Sequence, residues 1–277
     1  MAGEPVNFLR YPGSKRRMLG FLSQYLPNRE DISGKYIEPF LGSGAVFLSI
    51  LPKKAFLSDI NSELIDLFSG IRLDPDAVWR IYRNYGDTKN DYYHVRDTYH
   101  PRSLSGRAAR SLYLNRTCFK GMWRQNRQGK FNVGYGGQNR RWVIDLDILR
   151  FVSYALKEIE ITPNDFSDTL GLCKKGDFVF CDPPYRPGQF NQSNAHYSWE
   201  QFSSDDQERL ADCLCGLNPG KVKWALTISS HKKILNLYKK NFAVFFNRGT
   251  GPMPGCIVKN PGEVLITNYQ VNGGIVL

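Results

Sequence analysis

Long apolar runs are missing from this sequence of 277 residues. No stretch approaches the eighteen or so consecutive apolar residues that a membrane-spanning helix needs, so we expect no membrane partner. The first ten residues include Glu4, Pro5 and Asn7, whereas a secretory signal peptide has a cationic start followed by an apolar run. These absences predict a cytoplasmic protein.

Metal-ligand patterns are missing as well. The six cysteines include no C-x-x-C pair, and Cys213-x-Cys215 has no second pair with which to complete a zinc site. None of the four histidines lies at a spacing typical of metal ligands. We therefore expect reduced structural thiols and no bound metal.

Acidic residues are absent from positions 98 to 144. Ten basic residues lie there: Arg102, Arg107, Arg110, Arg116, Lys120, Arg124, Arg127, Lys130, Arg140 and Arg141. The other 27 of the 37 basic residues nearly balance the 26 acidic ones, so this segment supplies almost all of the net charge of +11. Five aromatic residues are interleaved with these charges: Tyr113, Phe119, Trp123, Phe131 and Tyr135. The pattern favours binding to a phosphate backbone, and a solvated basic face is the alternative.

Short apolar segments alternate with helical patterns along most of the chain. Segments typical of strands cover residues 36–40, 55–59, 159–161, 177–181, 223–229, 242–246 and 264–267. Helical patterns cover residues 43–51, 61–71, 145–156 and 231–240. Asn61 is a predicted N-cap, and the spacing of Ser204 and Gln207 predicts a capping box at the start of a further helix. This alternation predicts an α/β fold with a doubly wound, mostly parallel, Rossmann-like sheet that binds ligands at the carboxyl ends of its strands.

Strand signals stop between about Leu73 and Leu156. Asp74-Pro75 is an N-cap followed by a proline at the first helical position, which predicts that a helix begins there. Further helical patterns follow, and a stretch rich in Gly and Asn, residues 121–137, is typical of a hairpin or an irregular loop. We therefore predict an inserted, mainly helical domain, residues 72–157, within a sheet-containing domain formed by residues 1–71 and 158–277.

A glycine-containing turn follows the first predicted strand. In Pro39-Phe40-Leu41-Gly42-Ser43-Gly44, the two glycines let the backbone turn tightly and approach a ligand closely. Lys and Ser/Thr do not follow as a P-loop requires, and position 47 is Phe where a dinucleotide fold prefers glycine. Asp59 ends the next predicted strand, where its carboxylate can accept both hydroxyls of a ribose. The pattern is typical of a site for an adenosine ligand without phosphates.

The tetrapeptide Asp182-Pro183-Pro184-Tyr185 follows another predicted strand directly. The amino nitrogen of adenine is a poor nucleophile because its lone pair is delocalised into the ring. A carboxylate and the Pro183 carbonyl that accept its two N–H bonds favour the pyramidal form, which can attack a sulfonium methyl. The prolines pre-orient the loop, and Tyr185 offers a ring for a base extruded from a duplex. Taken alone, the tetrapeptide also fits a proline-rich turn.

Taken in order, these motifs resemble those of the Dam-type DNA adenine N6-methyltransferases, an α-class family with a DPPY motif, over nearly the whole chain. The resemblance implies S-adenosylmethionine as cofactor, and Arg10-Tyr11-Pro12-Gly13-Ser14-Lys15 matches the motif that closes over it. The implied cofactor contacts are Tyr11, Lys15, Pro39, Phe40, Gly42, Gly44, Asp59, Asp165, Phe166 and Asp182. The implied catalytic residues are Asp182, Pro183, Pro184 and Tyr185. Residues 1–71 and 158–277 then form the methyltransferase catalytic domain.

The inserted domain is similar to the family's target-recognition segment. The implied DNA-binding residues are Arg116, Phe119, Lys120, Met122, Arg124, Asn126, Arg127, Lys130, Asn132, Arg140 and Arg141. Arg124 matches the base-reading arginine, whose fork suits the two major-groove acceptors of guanine, and Phe119-Lys120 match the residues that wedge into the duplex. Gly134 stands where the family usually has Pro, and Lys120 where Asn is common. The resemblance implies a GATC target, and these two departures leave it open.

Other functions are compatible with parts of the pattern. A related Pro-Pro-Tyr loop also serves methylation of RNA bases and of glutamine in proteins, and a catalytically silent DNA-binding protein could keep the same fold. The basic insert favours duplex DNA as the partner, and the acids Asp59, Asp165 and Asp182 favour an enzyme. A cognate restriction or defence-system component is a further expected partner.

Overall fold

The computed structural model describes residues 6–126, 128–137, 144–184, 202–218, 220–246 and 262–277. Arg127, Arg140, Arg141 and Tyr185, which the sequence places in the functional site, lie outside the described residues.

In chain order the helices are α1 (Leu19–Leu22), α2 (Ala45–Ile50), α3 (Ser62–Leu73), α4 (Pro75–Arg83), α5 (Lys89–Asp97), α6 (Leu104–Thr117), α7 (Leu146–Ala155), α8 (Phe166–Gly171), α9 (Ser204–Gly216) and α10 (Lys232–Leu235). The strands are β1 (Tyr36–Glu38), β2 (Ala55–Ser58), β3 (Glu160–Thr162), β4 (Phe178–Cys181), β5 (Lys223–Ile228), β6 (Phe242–Phe246), β7 (Glu263–Thr267) and β8 (Ile275–Val276).

The chain forms two compact units. The first comprises Met1–Leu19, Leu41–Leu51 and Leu57–Pro163. The second comprises Gly20–Phe40, Pro52–Phe56 and Asn164–Leu277. The catalytic domain, residues 1–71 and 158–277, and the target-recognition domain, residues 72–157, stay predictions.

Helices dominate the first unit, and short polar side chains set where they begin. Asn61 accepts a hydrogen bond from the Leu64 amide at the start of α3, and Asp74 accepts one from the Ala77 amide at the start of α4. The helix α6 packs against α3 and α4, and its side chains are buried from Ala108 onward. The described residues between α4 and α7 contain no strand beyond isolated bridges, as expected for a mainly helical insert.

The second unit holds strands in the order β1-β4-β5-β7-β6-β8. The pairs β1–β4 and β4–β5 are parallel, and each antiparallel pair contains β6 or β7. Apolar side chains of these strands pack with α9 into a core that includes Val179, Leu226 and Leu210. The predicted α/β fold is confirmed. The sheet of this unit is parallel across β1, β4 and β5, whose carboxyl ends meet at one edge, and antiparallel from β5 to β8.

Two local predictions are wrong, and one short strand was not predicted. The capping box of α9 uses Ser203 and Asp206 rather than Ser204 and Gln207, because the Asp206 carboxylate accepts the Ser203 amide proton at 2.9 Å. The predicted helix 231–240 is α10 followed by one 3-10 turn at Asn236–Tyr238. The two-residue strand β8, which pairs with β6, is too short to leave a periodic signal.

Within the described ranges, no helix combines the length and the apolar character that crossing a membrane requires. The same ranges contain no group of three or more His, Cys, Asp or Glu side chains placed to hold a metal ion.

Candidate active site

The turn that leads into α2 needs glycine at two positions. Gly42 has φ +48° and Gly44 has φ +65°, in the left-handed region that side-chain-bearing residues rarely adopt. A Cβ on Gly42 would lie 3.3 Å from Tyr11 Cε1, and a Cβ on Gly44 would lie 3.2 Å from Phe68 Cζ. The turn therefore keeps its shape and its close approach to Tyr11 only with these glycines.

Asp59 holds this turn from the end of β2. Its Oδ2 accepts a hydrogen bond from the Gly42 amide at 3.0 Å, and its Oδ1 accepts one from the Asn61 amide at 3.0 Å. Burial raises the pKa of Asp59, and the two amides oppose the rise without cancelling it. Each carboxylate oxygen keeps a second lone pair, so Asp59 can hold the turn and still accept ribose hydroxyls.

The Tyr11–Lys15 segment lies against the same turn. The Tyr11 ring packs on Gly42, and the hydroxyls of Ser14 and Ser43 are 2.8 Å apart. Lys15 is buried, and its Nζ donates to the Gly13 carbonyl at 3.2 Å. The Tyr11 ring and the Ser14 hydroxyl thus lie against the Gly42 turn, and the buried Lys15 belongs to the same segment.

Asp182 follows β4 at the carboxyl edge of the sheet in the second unit. The hydroxyl of Thr227, in β5, donates to Asp182 Oδ1 at 2.9 Å, and the Thr227 side chain is fully buried. The Asp182 carboxylate is therefore oriented by a neutral donor. Sequence reasoning missed Thr227, although a hydroxyl near the carboxyl end of an otherwise apolar strand is a usable signal.

Glu38 is a second carboxyl group at this edge. It ends β1, the parallel neighbour of β4, and is 2% exposed. The Tyr36 hydroxyl donates to Glu38 Oε2 at 2.8 Å. Burial, with Glu38 adding to it, raises the pKa of Tyr36, so the phenol stays protonated as the donor. The sequence analysis did not single out Glu38.

Asp165 and Phe166 begin α8 beside an arginine that sequence reasoning missed. Arg209, in α9, donates to Asp165 Oδ1 at 2.8 Å and to Oδ2 at 3.2 Å, and its guanidinium lies 4.2 Å from the centre of the Phe166 ring. Burial alone would raise the pKa of Asp165, but hydrogen bonds from Arg209 and Ser167 outweigh it and lower the pKa. Phe40 stacks on Phe166 with ring centres 5.4 Å apart, and Phe166 is 4% exposed, so Phe40 and Arg209 cover the ring while the carboxylate beside it is fixed.

The predicted recognition segment forms a hairpin-like loop after α6. Isolated bridges join Cys118 to Tyr135 and Gln125 to Phe131. The Asn126 carboxamide closes the turn by accepting the Lys130 amide proton at 3.1 Å. The hairpin that the sequence left as one of two alternatives is thus the form that the described residues take.

The candidate DNA-contacting side chains of this loop differ in exposure. Phe119 is 46% exposed, Lys130 is exposed, and Met122 is half-buried. Lys120 has φ +56°, a conformation that favours asparagine or glycine, and its Nζ lies 5.2 Å from the Phe119 ring centre. The Phe119-Lys120 pair is therefore exposed on a strained turn.

Arg124 is held by Asn132, another predicted DNA contact. Its Nε donates to Asn132 Oδ1 at 2.8 Å, and its Nη2 donates to the Asn132 carbonyl at 3.4 Å. The remaining guanidinium donor positions are available for a guanine edge.

Two basic residues of the acid-free segment are buried instead of exposed. Arg116, a predicted DNA contact, is 7% exposed and donates to the Phe8 carbonyl at 3.4 Å. Desolvation lowers the pKa of Arg116. Arg110 donates to the carbonyls of Val95 and Arg96 and faces Glu63 at 3.8 Å. In this structure both arginines support their own unit rather than present their charge to solvent.

The residues around Gly42 have the chemistry that an adenosine-type sulfonium cofactor needs. Asp59 supplies an anionic acceptor for ribose hydroxyls, and Gly42 and Gly44 give the turn a backbone without side chains. In the second unit, Asp165 supplies a carboxylate suited to an adenine amino group, and the buried Phe166 ring lies beside it. Each set of residues therefore fits S-adenosylmethionine.

The chain is similar to known proteins over most of its length. A family model described as D12 class N6 adenine-specific DNA methyltransferase matches residues 11–248. The chain is 31% identical over 276 residues to the Type II methyltransferase M1.LlaDCHI of Lactococcus lactis subsp. cremoris, covering 95% of each protein. It is 30% identical over 230 residues to the DNA adenine methylase of Haemophilus influenzae, covering 81% of this chain and 79% of the relative. Among solved structures, the rRNA methyltransferase aviRa from Streptomyces viridochromogenes matches with a TM-score of 0.35 and 12% identity, covering 96% of this chain and 90% of that one.

Proposed function

The chain belongs to the family of D12 class N6 adenine-specific DNA methyltransferases, and from this premise we propose that it methylates N6 of an adenine flipped out of duplex DNA, using S-adenosylmethionine. The observation that carries the proposal is Asp182, placed at the carboxyl end of β4 and oriented by the Thr227 hydroxyl. Family membership favours an enzyme over a silent DNA-binding protein, and the residues that this chemistry needs are present.

The chemistry follows from the acceptors around the target amino group. Asp182 and the Pro183 carbonyl accept the two N6 protons, which draws the nitrogen lone pair out of conjugation with the ring. S-adenosylmethionine, when bound, would supply an electrophilic methyl on a sulfonium, and the by-product would be a neutral thioether. The new N–C bond makes N6 cationic, so its proton becomes acidic and passes to Asp182 or to water. Pro184 stiffens the loop, and Tyr185 stacks on the flipped base.

We propose these roles for the residues that the family resemblance implies as cofactor contacts. Asp59 accepts the ribose hydroxyls, while Tyr11, Lys15, Gly42 and Gly44 surround the methionine portion. Asp165 accepts from the adenine amino group, and Pro39, Phe40 and Phe166 are the further contacts.

Transfer of labelled methyl tests this function directly. Purified protein incubated with methyl-labelled S-adenosylmethionine and duplex DNA is expected to yield N6-methyladenine on hydrolysis of the DNA. RNA and a glutamine-containing protein extract serve as competing substrates in parallel reactions. Label that appears in RNA bases or in glutamine, with none in DNA, would overturn the proposal.

The target that we propose is the adenine of GATC, read in part by Arg124. Sequencing of modified adenines in DNA from expressing cells identifies the site. If the enzyme belongs to a restriction system, as the name of the Lactococcus relative suggests for that protein, methylated DNA resists a nuclease of the same specificity. Methylation confined to another sequence excludes GATC and leaves adenine methylation itself untouched.

Arg124→Ala is expected to relax the choice of sequence, whereas Lys130→Ala weakens binding to all sequences alike. A bidentate arginine contact to guanine discriminates by about 1–3 kcal/mol, so the preference for the cognate site is expected to fall by about 5- to 150-fold. Lys130 is exposed at the turn beside Asn126, and losing one phosphate contact is expected to lower the salt slope of binding by about 0.9. Competition binding with cognate and altered duplexes, at several salt concentrations, measures both quantities. If each variant loses the same affinity for the cognate duplex as for the altered one, Arg124 does not read the sequence and these separate roles are wrong.

A further inference from the structure

One buried side chain in the first unit fixes two segments that the proposed function assigns to different ligands. Asn115, in α6, is fully buried. Its Oδ1 accepts the Arg10 amide proton at 2.9 Å, and its Nδ2 donates to the Arg10 carbonyl at 2.6 Å. Both polar groups of the Arg10 backbone, directly before the Tyr11–Lys15 segment, are thus held by one carboxamide.

The same carboxamide also reaches the recognition loop. Its Nδ2 lies 3.5 Å from the Gly121 carbonyl, between Lys120 and Met122. Gly121 has φ +64°, and a Cβ added there would overlap Arg10 Cβ, so the loop crosses the N-terminal segment in direct contact. A shift of either segment therefore changes the hydrogen bonds that position the other.

An aromatic contact joins the two segments a second time. The rings of Trp123 and Tyr11 have centres 6.2 Å apart, and Trp123 also packs edge-on against Phe131 across the hairpin. Tyr11 in turn covers Gly42, whose amide is bonded to Asp59. A continuous series of packed groups thus leads from the recognition hairpin to the carboxylate proposed for the ribose.

Packing alone determines where the Trp123 ring lies. Its Nε1 is buried and has no hydrogen-bond partner within the described part of the chain. An unpaired buried donor is costly, so the ring occupies this position for its contacts with Tyr11 and Phe131.

We propose that Asn115 and Trp123 are positioning residues that make the binding of S-adenosylmethionine and of duplex DNA mutually dependent, an inference that rests on the proposed function. A ligand that orders the Tyr11–Lys15 segment also orders the recognition loop, and the reverse holds equally. Because linkage is reciprocal, each ligand raises the affinity for the other by the same factor, and about 5-fold or more is typical of such coupling. Neither side chain has to touch either ligand.

The test measures that factor with a ligand that cannot react. The dissociation constant of S-adenosylhomocysteine is determined by calorimetry with and without a saturating duplex. That duplex contains the target sequence of the enzyme, unmethylated. The dissociation constant of the duplex is determined with and without S-adenosylhomocysteine, and the two ratios must agree. The variants are Asn115→Asp, which loses both donors at constant size, and Trp123→Leu, which loses the ring contact. Trp79→Leu is the matched control, because Trp79 is a half-buried tryptophan of the same unit that bonds the Ile144 carbonyl instead.

Wild type and Trp79→Leu are expected to show a ratio of about 5 or more, and both test variants a ratio near 1. If Asn115→Asp fails to fold, Trp123→Leu decides the matter. Three results would overturn the inference. They are a wild-type ratio of dissociation constants equal to 1, a wild-type ratio retained in Trp123→Leu, and a ratio that falls to 1 in Trp79→Leu as well. A wild-type protein that binds S-adenosylhomocysteine but neither binds nor methylates DNA contradicts the proposed function instead.

Discussion

Asp182→Ala is expected to lower the rate of methyl transfer to DNA by on the order of a thousandfold, because one preorganised group that stabilises a developing charge contributes that much in other enzymes. Asp182 accepts the Thr227 hydroxyl at 2.9 Å, so its carboxylate is already oriented before any ligand arrives. Without that acceptor, the target nitrogen keeps its lone pair in the ring, and the cationic product has no nearby base. The loss is expected in kcat, since binding of the cofactor and the duplex relies mainly on other residues.

Single-turnover transfer rates with labelled cofactor measure this effect. Asp182→Asn is the conservative partner of the alanine variant, because it keeps one oxygen acceptor but no charge, and an intermediate rate is expected. Asp212→Ala, which removes an exposed aspartate from α9, is the matched control and is expected to keep the wild-type rate. Transfer by Asp182→Ala at the wild-type rate, with an unchanged melting temperature, excludes Asp182 from the chemistry.

Thr227 shows why part of this site could not be predicted from the sequence. The helix starts at Asn61 and Asp74 could be predicted because each N-cap side chain bonds the amide three residues later. Both partners of such a bond lie within one short stretch of sequence. The bond from Thr227 to Asp182 joins residues 45 apart and exists only because β4 and β5 are neighbours in the sheet. Arg209 and Asp165, 44 residues apart, depend in the same way on how α8 and α9 pack.

The acid-free segment illustrates the same limit for charge. The sequence predicted a positively charged surface here, because the nearest acidic residues along the chain lie at the two ends of the segment. The structure brings acids from α3 to it: Asp66 pairs with Arg107 at 2.7 Å, and Glu63 faces Arg110. The positive surface that DNA would meet is therefore narrower than the count implies, and it includes the exposed side chains of Lys120 and Lys130.

Asp59→Asn is expected to weaken the binding of S-adenosylmethionine by about 10- to 150-fold, since a hydrogen bond to a charged group contributes about 1.5–3 kcal/mol. The amide can still accept one of the two backbone protons that Asp59 accepts from Gly42 and Asn61, but it offers the ribose a single neutral acceptor. Asp59→Ala is expected to lose more, because the Gly42 amide is then left unpaired and the turn over Tyr11 loosens. Calorimetric titration with S-adenosylmethionine measures both. Asp66→Asn, on α3 of the same unit, is the control and is expected to bind normally.

The pH dependence of cofactor binding gives this prediction a second readout. Burial raises the pKa of Asp59 above its ordinary value, so on acidification this carboxylate takes up its proton at a higher pH than an exposed aspartate does. Only the ionised form accepts two ribose hydroxyls, and affinity is therefore fully present above the raised pKa and falls as the pH drops through it. Asp59→Asn has no such group, and its affinity stays flat across that range apart from titration of the cofactor itself. A wild-type profile as flat as that of Asp59→Asn would show that the buried carboxylate does not hold the ribose, whatever the affinity of the variant at neutral pH.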